Sequence, residues 1–376
     1  MQCTRRQFLA TLACTAVATT LPGCATPLAL SARSTRTRYL SARSSSDGRY
    51  FLSGFDEAGA CRFDIPLPER GHAVALHPEH HHVAVVARRP GQFLLVADLE
   101  SGAVLHRLHS EAQRHFFGHG VYSPDGRWFY TTENDIESGN GLVVVRDVHN
   151  DYRVAREFSS HGIGPHELAW LSDGLTLAIA NGGIDTRPET GRTMLNLDHM
   201  APSLVYVDAG SGKLLEQHTL DAALHQNSIR HFAVANNDLL CFAMQYQGDP
   251  NDLPPLIGLH RRGGAIRLLQ APDAVHRQMV NYCGSVCVDS SGQWFAVSSP
   301  KGNVVTFWSG KDGEYAGKAE IPDGCGIAAG NQPGEFILSS GLGGLYRHQV
   351  ADGRTRSFDH SDRDTRWDNH MTRLAL

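Results

Sequence analysis

The sequence has no block of basic residues and, beyond its first two dozen residues, no long apolar run. Its 34 Lys and Arg and 39 Asp and Glu residues give a formal net charge of −5, and the positive charges form no stripe. A nucleic acid is therefore a poor candidate for a partner. A membrane-spanning helix needs about 20 consecutive apolar residues. We therefore expect membrane contact only through an N-terminal leader or a lipid anchor.

The sequence also lacks the local patterns of common catalytic and thiolate-metal sites. It has no Gly-x-Ser-x-Gly elbow, phosphate-binding glycine loop or close carboxylate pair, so serine hydrolase, nucleotide hydrolase and glycosidase functions have no support. The five cysteines after residue 24 show no Cys-x-x-Cys spacing, which argues against a thiolate zinc site. We expect most of them to be small buried residues, although an oxidising compartment would permit disulfides.

What the sequence does contain is a repeat, seen most clearly in Gly118–Ser160. This stretch reads as four short strands separated by turn residues, as in one antiparallel sheet. The same phrase recurs seven times at steps of about 40 to 65 residues, without a helix of useful length. The recurrence predicts an all-β fold, a seven-bladed β-propeller of the YVTN or WD40 type. Two β-sandwich domains are the alternative, but no linker divides the chain.

The two ends of the repeat region complement each other. The stretch Thr37–Leu67 provides only three strands, whereas Asn369–Leu374 resembles the first strands of the other repeats. We predict that this C-terminal strand joins the N-terminal blade and closes the ring, which removes open sheet edges.

The first 24 residues look like an export signal. Thr4–Leu9 resembles the twin-arginine signature and is followed by an apolar run, and Leu21–Cys24 resembles a lipoprotein cleavage box with Cys24 as the lipidated residue. Periplasmic release without lipidation is the alternative. We therefore predict a signal peptide over 1–24, a short linker over 25–36, a single propeller domain over 37–376, and a periplasmic location.

The first strand of each propeller blade lines the central channel, so equivalent residues of different blades converge there. Five repeats carry a histidine at nearly the same point of this strand: His72, His119, His166, His231 and His370. Neutral imidazoles together with a carboxylate suit iron, zinc or copper. We therefore predict that these histidines and Glu133 bind a transition metal such as iron, zinc or copper. The alternative is that the histidines only brace neighbouring blades.

The ends of the second strands reach the same face of the propeller and carry polar residues. They include Arg88, Asn134, Asn181, Gln245 and Lys301, which we predict to bind a ligand. Arg88 and Lys301 would contact an anion such as a carboxylate beside the metal.

Two long connections, Gly183–Pro202 and Gln247–Pro255, overhang this face as a lid, a partner surface or plain loops. In contrast, His77 and the run His80–His82 fall at a hairpin turn on the opposite face, where we expect an exposed polar turn.

Many phrases of the chain, taken in order, resemble one bacterial periplasmic propeller family of unknown function. They include ARRPG at Ala87–Gly91, GIGPHEL at Gly162–Leu168, MLNLDHMAPSL at Met194–Leu204, SIRH at Ser228–His231, SSPKG at Ser298–Gly302 and WDNH at Trp367–His370. The resemblance implies a twin-arginine leader, a seven-bladed propeller and an iron-related context, because the genes of this family often accompany those of imelysin-type iron-uptake lipoproteins and a dihaem-peroxidase-like oxidoreductase.

We therefore expect a protein that binds a transition metal, or a metal-bearing periplasmic partner, in iron acquisition. A metal-dependent lactonase or oxidoreductase and a pure interaction scaffold are the alternatives. Glu133, Asn134 and Asn181 partly supply the carboxylates and amides of a propeller lactonase, but the excess of histidine departs from that pattern.

Overall fold

The computed structural model describes residues 37–186, 193–358 and 364–374. These residues form seven four-stranded antiparallel sheets arranged in a ring, which confirms the predicted seven-bladed β-propeller. The predicted signal peptide and Cys24 lie outside the described residues.

In each blade, strands run in chain order from the channel outwards, except that the first blade takes its inner strand from the C-terminus. Blade 1 contains β1 (Tyr39–Ser45), β2 (Tyr50–Phe55), β3 (Cys61–Leu67) and the inner strand β28 (Thr365–Arg373). Blade 2 contains β4 (Gly71–Leu76), β5 (His82–Ala87), β6 (Phe93–Asp98) and β7 (Val104–His109). Blade 3 contains β8 (Arg114–Tyr122), β9 (Trp128–Asp135), β10 (Gly141–Asp147) and β11 (Arg153–Ser159). Blade 4 contains β12 (Pro165–Trp170), β13 (Thr176–Asn181), β14 (Ser203–Asp208) and β15 (Leu214–Thr219).

The remaining three blades follow the same order. Blade 5 contains β16 (Asn227–Val234), β17 (Leu240–Tyr246), β18 (Ile257–His260) and β19 (Arg267–Leu269). Blade 6 contains β20 (Ser285–Val288), β21 (Trp294–Ser299), β22 (Val304–Ser309) and β23 (Tyr315–Glu320). Blade 7 contains β24 (Gly324–Ala329), β25 (Glu335–Ser340), β26 (Leu345–Gln349) and β27 (Arg354–Ser357).

The ring closes as the two chain ends predict. Strand β28 pairs with β1 in antiparallel register from Tyr39 opposite Arg373 to Ser45 opposite Thr365. This pairing gives the first blade four strands, as in the other blades, so none of the seven described sheets lacks a strand.

The core lies between neighbouring blades, where the apolar second and third strands pack face to face. All six residues of β13 are buried, whereas all four of β27 are exposed at the rim. Turn chemistry separates the strands: Gly126 follows Asp125 with φ of 70°, a left-handed conformation that glycine adopts without strain.

In the part of the chain that the structure describes, helical structure is confined to connections between strands. One short α-helix, α1 (Asp273–Gln278), links blades 5 and 6, and single 3-10 turns occupy Val148–Asn150, Leu197–His199, Ala222–Leu224 and Pro300–Gly302. Among the described residues, no helix has the length and apolar character needed to cross a membrane.

Candidate metal centre

The five predicted histidines lie on the innermost strands of five blades, at points where the strand pairing is irregular. The ladder between β4 and β5 breaks between Gly71 and Val74, around His72. Equivalent breaks surround or adjoin His119, His166, His231 and His370. An irregularity of this kind interrupts the strict alternation of side chains and redirects one of them. Each of these blades can therefore turn an imidazole into the channel.

Blades 6 and 7 differ from the other five at this position. The strand pair β24–β25 has a similar break between Gly324 and Ile327, but Cys325 and Gly326 occupy it. The pair β20–β21 is regular and begins at Ser285. The histidines therefore line only part of the circumference of the channel, on the side formed by blades 1 to 5.

The five rings, which we call the channel cluster, form one compact group. In nine of the ten pairs, the ring centres lie between 4.4 Å apart, for His72 and His370, and 6.3 Å apart, for His72 and His231. Ring nitrogens of His72, His119 and His166 lie within 4.8 Å of one another, as do those of His119, His231 and His370. Two nitrogens on one metal ion lie at most about 4 Å apart, because each metal–nitrogen bond is about 2 Å long. Small ring rotations would therefore bring either trio onto one ion, and His119 belongs to both.

Gly118 makes this close packing possible. Its φ is 106°, and a side-chain Cβ at this position would lie 2.5 Å from Cδ2 of His72. Neither the backbone conformation nor the space would accept another residue without strain. The Gly-His pair in the third repeat therefore has a steric cause: the glycine allows the ring of blade 2 to reach its neighbour His119.

All five imidazoles are held in the neutral form. Burial lowers the pKa of each ring, and most strongly that of His119, His166, His231 and His370, whose pKa lies well below the usual value for histidine. The other rings of the cluster and the Arg230 guanidinium lower the pKa of His119 further. Neutral imidazole is the form that binds a metal ion, since its lone pair is free of a proton.

Two acidic side chains contact rings of the cluster. Nδ1 of His72 lies 2.7 Å from Oδ1 of Asp368, and Nδ1 of His231 lies 3.2 Å from Oε2 of Glu167. A carboxylate on one ring nitrogen fixes the orientation of the ring and leaves the other nitrogen for a metal.

The pKa values of these two acidic side chains are shifted in opposite directions. Burial disfavours the charge on Asp368, but His72, Arg88 and Arg70 hold the pKa of its carboxyl well below its usual value. The Nε atom of Arg70 lies 2.7 Å from Oδ2 of Asp368. Glu167 has no such cationic partner at hydrogen-bonding distance among the described residues, and burial raises its pKa to about 8.

Three buried ring nitrogens of the cluster have no hydrogen-bond partner among the described residues. They are Nε2 of His119, Nδ1 of His166 and Nε2 of His370. A buried polar atom without a partner costs about 1–3 kcal/mol, so folded proteins contain few of them. Three of them from three blades, in one group of neutral rings, are typical of a site that holds a ligand.

The predicted carboxylate ligand, Glu133, lies elsewhere. Its neighbour on β9, Thr132, faces blade 4, where the hydroxyl donates to the carbonyl oxygen of His166 at 3.0 Å. The side chain of Glu133 therefore points to the other face of the strand. The Glu133 side chain is fully buried and pairs with Arg146 at 2.8 Å, with a hydrogen bond from Thr131 at 2.8 Å. Neither of the histidine trios includes it.

The five predicted ligand-binding residues divide into two groups. Arg88, Gln245 and Lys301 line a cavity of about 220 Å³ that opens onto His72, His166 and His231. The other two brace the fold. Asn181 donates to the carbonyl oxygen of Ser160 at 3.0 Å, and the amide of Asn134 lies 3.4 Å from Nε2 of His115.

Two cationic side chains that were not predicted, Arg89 and Arg230, also line this cavity. Arg230 is 8 % exposed and immediately precedes His231. We call this space, with Arg88, Arg89, Arg230 and Lys301, the cationic cavity. The overhanging connections contribute Ile184, Met194 and Gln247 to its wall, as their position in the sequence suggests.

A second cavity, of about 460 Å³, lies on the other side of the channel cluster. His119, His370 and Glu167 line it, together with apolar residues of the inner strands. The Glu167 side chain keeps 20 % of its surface exposed there. The channel cluster thus separates two spaces of different character, one lined by four cationic side chains and one whose described lining contains no Arg or Lys.

Sequence reasoning missed Asp368, Glu167 and Arg230 as parts of the site. Each stands one or two residues from a predicted histidine, within the phrases WDNH, PHEL and SIRH. In a regular strand an immediate neighbour points to the opposite face. The irregular pairing at these positions lifts this rule, so adjacency to each histidine was the available signal.

The described cysteines bear out the sequence reading for the body of the protein. Cys241, Cys283 and Cys325 are buried, and all five described cysteines are free thiols. None of them belongs to either group of potential metal ligands.

Comparison with known proteins identifies the fold and the family. A chain of hydrazine synthase from Kuenenia stuttgartiensis is similar in structure, with a TM-score of 0.60 and 12 % sequence identity over 85 % of this chain and 94 % of that one. At this identity the likeness shows the fold alone. No curated protein matches the sequence. The family model described as "Protein of unknown function (DUF1513)" matches residues 65–374, well over half of the sequence, and the chain therefore belongs to the DUF1513 family.

Proposed function

We propose that the protein binds one transition-metal ion through the channel cluster, as a metal-binding protein of the periplasm. The observation that carries this proposal is the group of three buried ring nitrogens without partners, inside a set of five neutral imidazoles. Imidazole suits iron, copper and zinc alike. Iron remains the first candidate because of the family resemblance, with a role in iron acquisition alone or together with a metal-bearing partner.

The alternative role, bracing of the blades, requires a different pattern of contacts. A bracing histidine uses its ring nitrogens in hydrogen bonds to neighbouring backbone or side chains, as His77 does. Within the channel cluster, Asp368 and Glu167 each engage one nitrogen of one ring and leave the second available. A metal-bound histidine typically has such an acidic partner behind it, so this arrangement supports the proposal.

The lactonase alternative has less support from the geometry. Such a site needs carboxylates and amides that point into the channel. Glu133 pairs with Arg146 through Oε1, and Asn181 donates to Ser160 through Nδ2. Their second oxygens, Oε2 of Glu133 and Oδ1 of Asn181, have no partner among the described residues, but neither residue belongs to a histidine trio or lines a cavity beside the channel cluster.

Elemental mass spectrometry tests the proposal on protein purified from the periplasm without an affinity tag or chelator. We expect about one iron, copper or zinc ion per chain. The double variant His119→Ala/His166→Ala should lose the metal, whereas the control His80→Ala/His81→Ala, at exposed positions, should keep it. A metal-free protein that also takes up no metal on titration would contradict the proposal.

A further inference from the structure

The cationic cavity brings several positively charged side chains close to the channel cluster, whose imidazoles are neutral. Four cationic side chains line it, and none of its described lining residues is acidic. Asp368, which contacts His72, lies 3.2 Å from Arg88 and 2.7 Å from Arg70 and is therefore already shared between two guanidinium groups. Glu167 lines the opposite cavity. The protein as a whole carries a net charge of −5, so this local excess of positive charge is not a general property of its surface.

A bare divalent cation would be unfavourable beside these groups. Arg230 immediately precedes His231, and Arg88 lines the same cavity as the His231 ring, so like charges would repel a cation held at this ring. A buried charge is tolerated when an opposite charge compensates it. Among the described side chains Asp368 is placed for this purpose, and it already pairs with Arg70 and Arg88.

We propose that the cationic cavity binds a small dicarboxylate that acts as a co-ligand of the metal held by the channel cluster. This inference rests on the proposed metal site and names the second component that the site requires. One carboxylate would occupy the open coordination position beside the histidines, and the other would contact the arginine and lysine side chains. Arg recognises carboxylate through paired hydrogen bonds, and Lys acts as a point charge.

The size and shape of the cavity favour this class of ligand. Its volume of about 220 Å³ is below the roughly 300–1,000 Å³ of pockets for drug-sized molecules. Its cations come from blades 2, 5 and 6 and therefore surround the space instead of forming one cluster. An anion with two separate charged ends can contact the metal and this rim together, and it reaches further than a compact anion such as phosphate.

The outer edge of the cavity is defined by Lys301. It is exposed, and its Nζ lies 4.6 Å from the centre of the Tyr282 ring, over the ring face. This contact positions the ammonium group without neutralising it. Lys301 therefore remains available to an anion that enters from solvent.

Titration of the Co²⁺-loaded protein with malonate tests the inference. Co²⁺ gives a visible absorption spectrum that changes when a new ligand enters its coordination sphere. We expect malonate to change this spectrum while cobalt stays with the protein on gel filtration, and to bind the metal-free protein at least about tenfold more weakly. By linkage, malonate should strengthen Co²⁺ binding by the same factor.

Three variants make the test specific. Arg230→Gln and Lys301→Gln should weaken malonate binding, about tenfold for the buried arginine and less for the exposed lysine. Removal of a positive charge should at the same time strengthen binding of Co²⁺ alone. Lys311→Gln is the matched control, because Lys311 is an exposed lysine of the same blade on the β22–β23 turn, and it should change neither affinity.

The possible outcomes separate this inference from the proposed function. Failure of Co²⁺ to bind, with or without malonate, would overturn both. Cobalt binding with an unchanged spectrum, removal of cobalt by malonate, or equal malonate affinity with and without metal would overturn the co-ligand alone. Tighter binding of inorganic phosphate than of malonate, with the same dependence on Arg230 and Lys301, would overturn the dicarboxylate class.

Discussion

The protein contains two dense groups of histidines that differ in what their ring nitrogens contact. The channel cluster lies inside the ring of blades, whereas His77, His80 and His82 form a hairpin group at the β4–β5 turn. Ring spacing is similar, since neighbouring centres in the hairpin group lie 4.6 to 5.9 Å apart. In the hairpin group, Nε2 of His77 donates to the carbonyl oxygen of Gly126 at 3.0 Å, and its Nδ1 accepts from the backbone N–H of His80 at 3.0 Å.

The comparison shows that closeness of imidazoles does not identify a metal site. His77 has a partner for each ring nitrogen and closes a turn. The channel cluster has buried nitrogens without partners. A buried ring nitrogen without a hydrogen-bond partner therefore distinguishes a candidate metal ligand from a structural histidine.

The largest expected difference between the two groups comes from single alanine replacements. His119→Ala should weaken metal binding by about a hundredfold or more, because His119 belongs to both trios and each of four ligands contributes about 3 kcal/mol to a typical site. His77→Ala should leave metal affinity unchanged and lower the free energy of unfolding by about 2 kcal/mol through its lost hydrogen bonds. Isothermal titration and urea denaturation measure the two quantities. Weaker metal binding in His77→Ala, with unchanged metal binding in His119→Ala, would contradict the comparison.

Gly118→Ala should act on the channel cluster through the backbone. We expect a loss of about 2–3 kcal/mol in unfolding free energy together with weaker metal binding, because the new methyl group would displace His72. Gly353→Ala is the control, since Gly353 also has positive φ, 66°, but no atom within 4 Å of the added carbon. Equal losses in both variants would mean that backbone strain alone, and not the contact with His72, explains the effect.

Asp368→Asn should weaken metal binding about 10- to 100-fold, as is usual for the loss of a carboxylate behind a metal-bound histidine. The amide keeps the shape of the side chain but loses the charge that faces His72 and Arg88. Asp352→Asn, which alters an exposed acid near Arg354, serves as the control and should have no effect on metal affinity. Metal affinity as tight as that of the unaltered protein in Asp368→Asn would show that His72 needs no orienting partner.

A smaller effect concerns a histidine outside both groups. Burial lowers the pKa of His348 from 6.5 to about 4; its ring stacks on Phe307 at 4.0 Å and its Nδ1 bonds to Thr355. The unfolded chain therefore takes up a proton as pH falls through about 6.5, while the folded protein resists until about pH 4. The stabilisation from His348 is complete above this window and declines within it.

The measurement for His348 is urea denaturation at pH 7 and pH 5. We expect the metal-free protein to lose more stability between these values than a His348→Phe variant, by about 1 kcal/mol or more. If the free energy of unfolding depended on pH in the same way in the variant, other groups would cause the acid sensitivity, first of all the histidines of the channel cluster.

The fold was predictable because it depends on repetition. Turn residues such as Asp125-Gly126 and the alternation of apolar runs mark every blade, and the missing strand of the first repeat pointed to the C-terminus. The convergence of the five histidines followed from the same repetition, since equivalent positions in a ring face one another.

The composition of the site around those histidines was less predictable. Whether Glu133 faces the channel depends on its neighbour Arg146 on the adjacent strand, which captures the carboxylate. The participation of Asp368 and Glu167 depends on irregular strand pairing, which shifts individual side chains by one position. Such details arise from register and charge pairing between strands, and a single sequence does not encode them in a local pattern.

The most direct measurement of the central claim is X-ray absorption at the metal edge of the metal-loaded protein. Its fine structure counts the imidazole groups around the metal and gives their distances. We expect at least three imidazole nitrogens at about 2.0–2.1 Å, with fewer in His119→Ala. A metal surrounded only by oxygen, or a spectrum unchanged in His119→Ala, would contradict a metal site in the channel cluster.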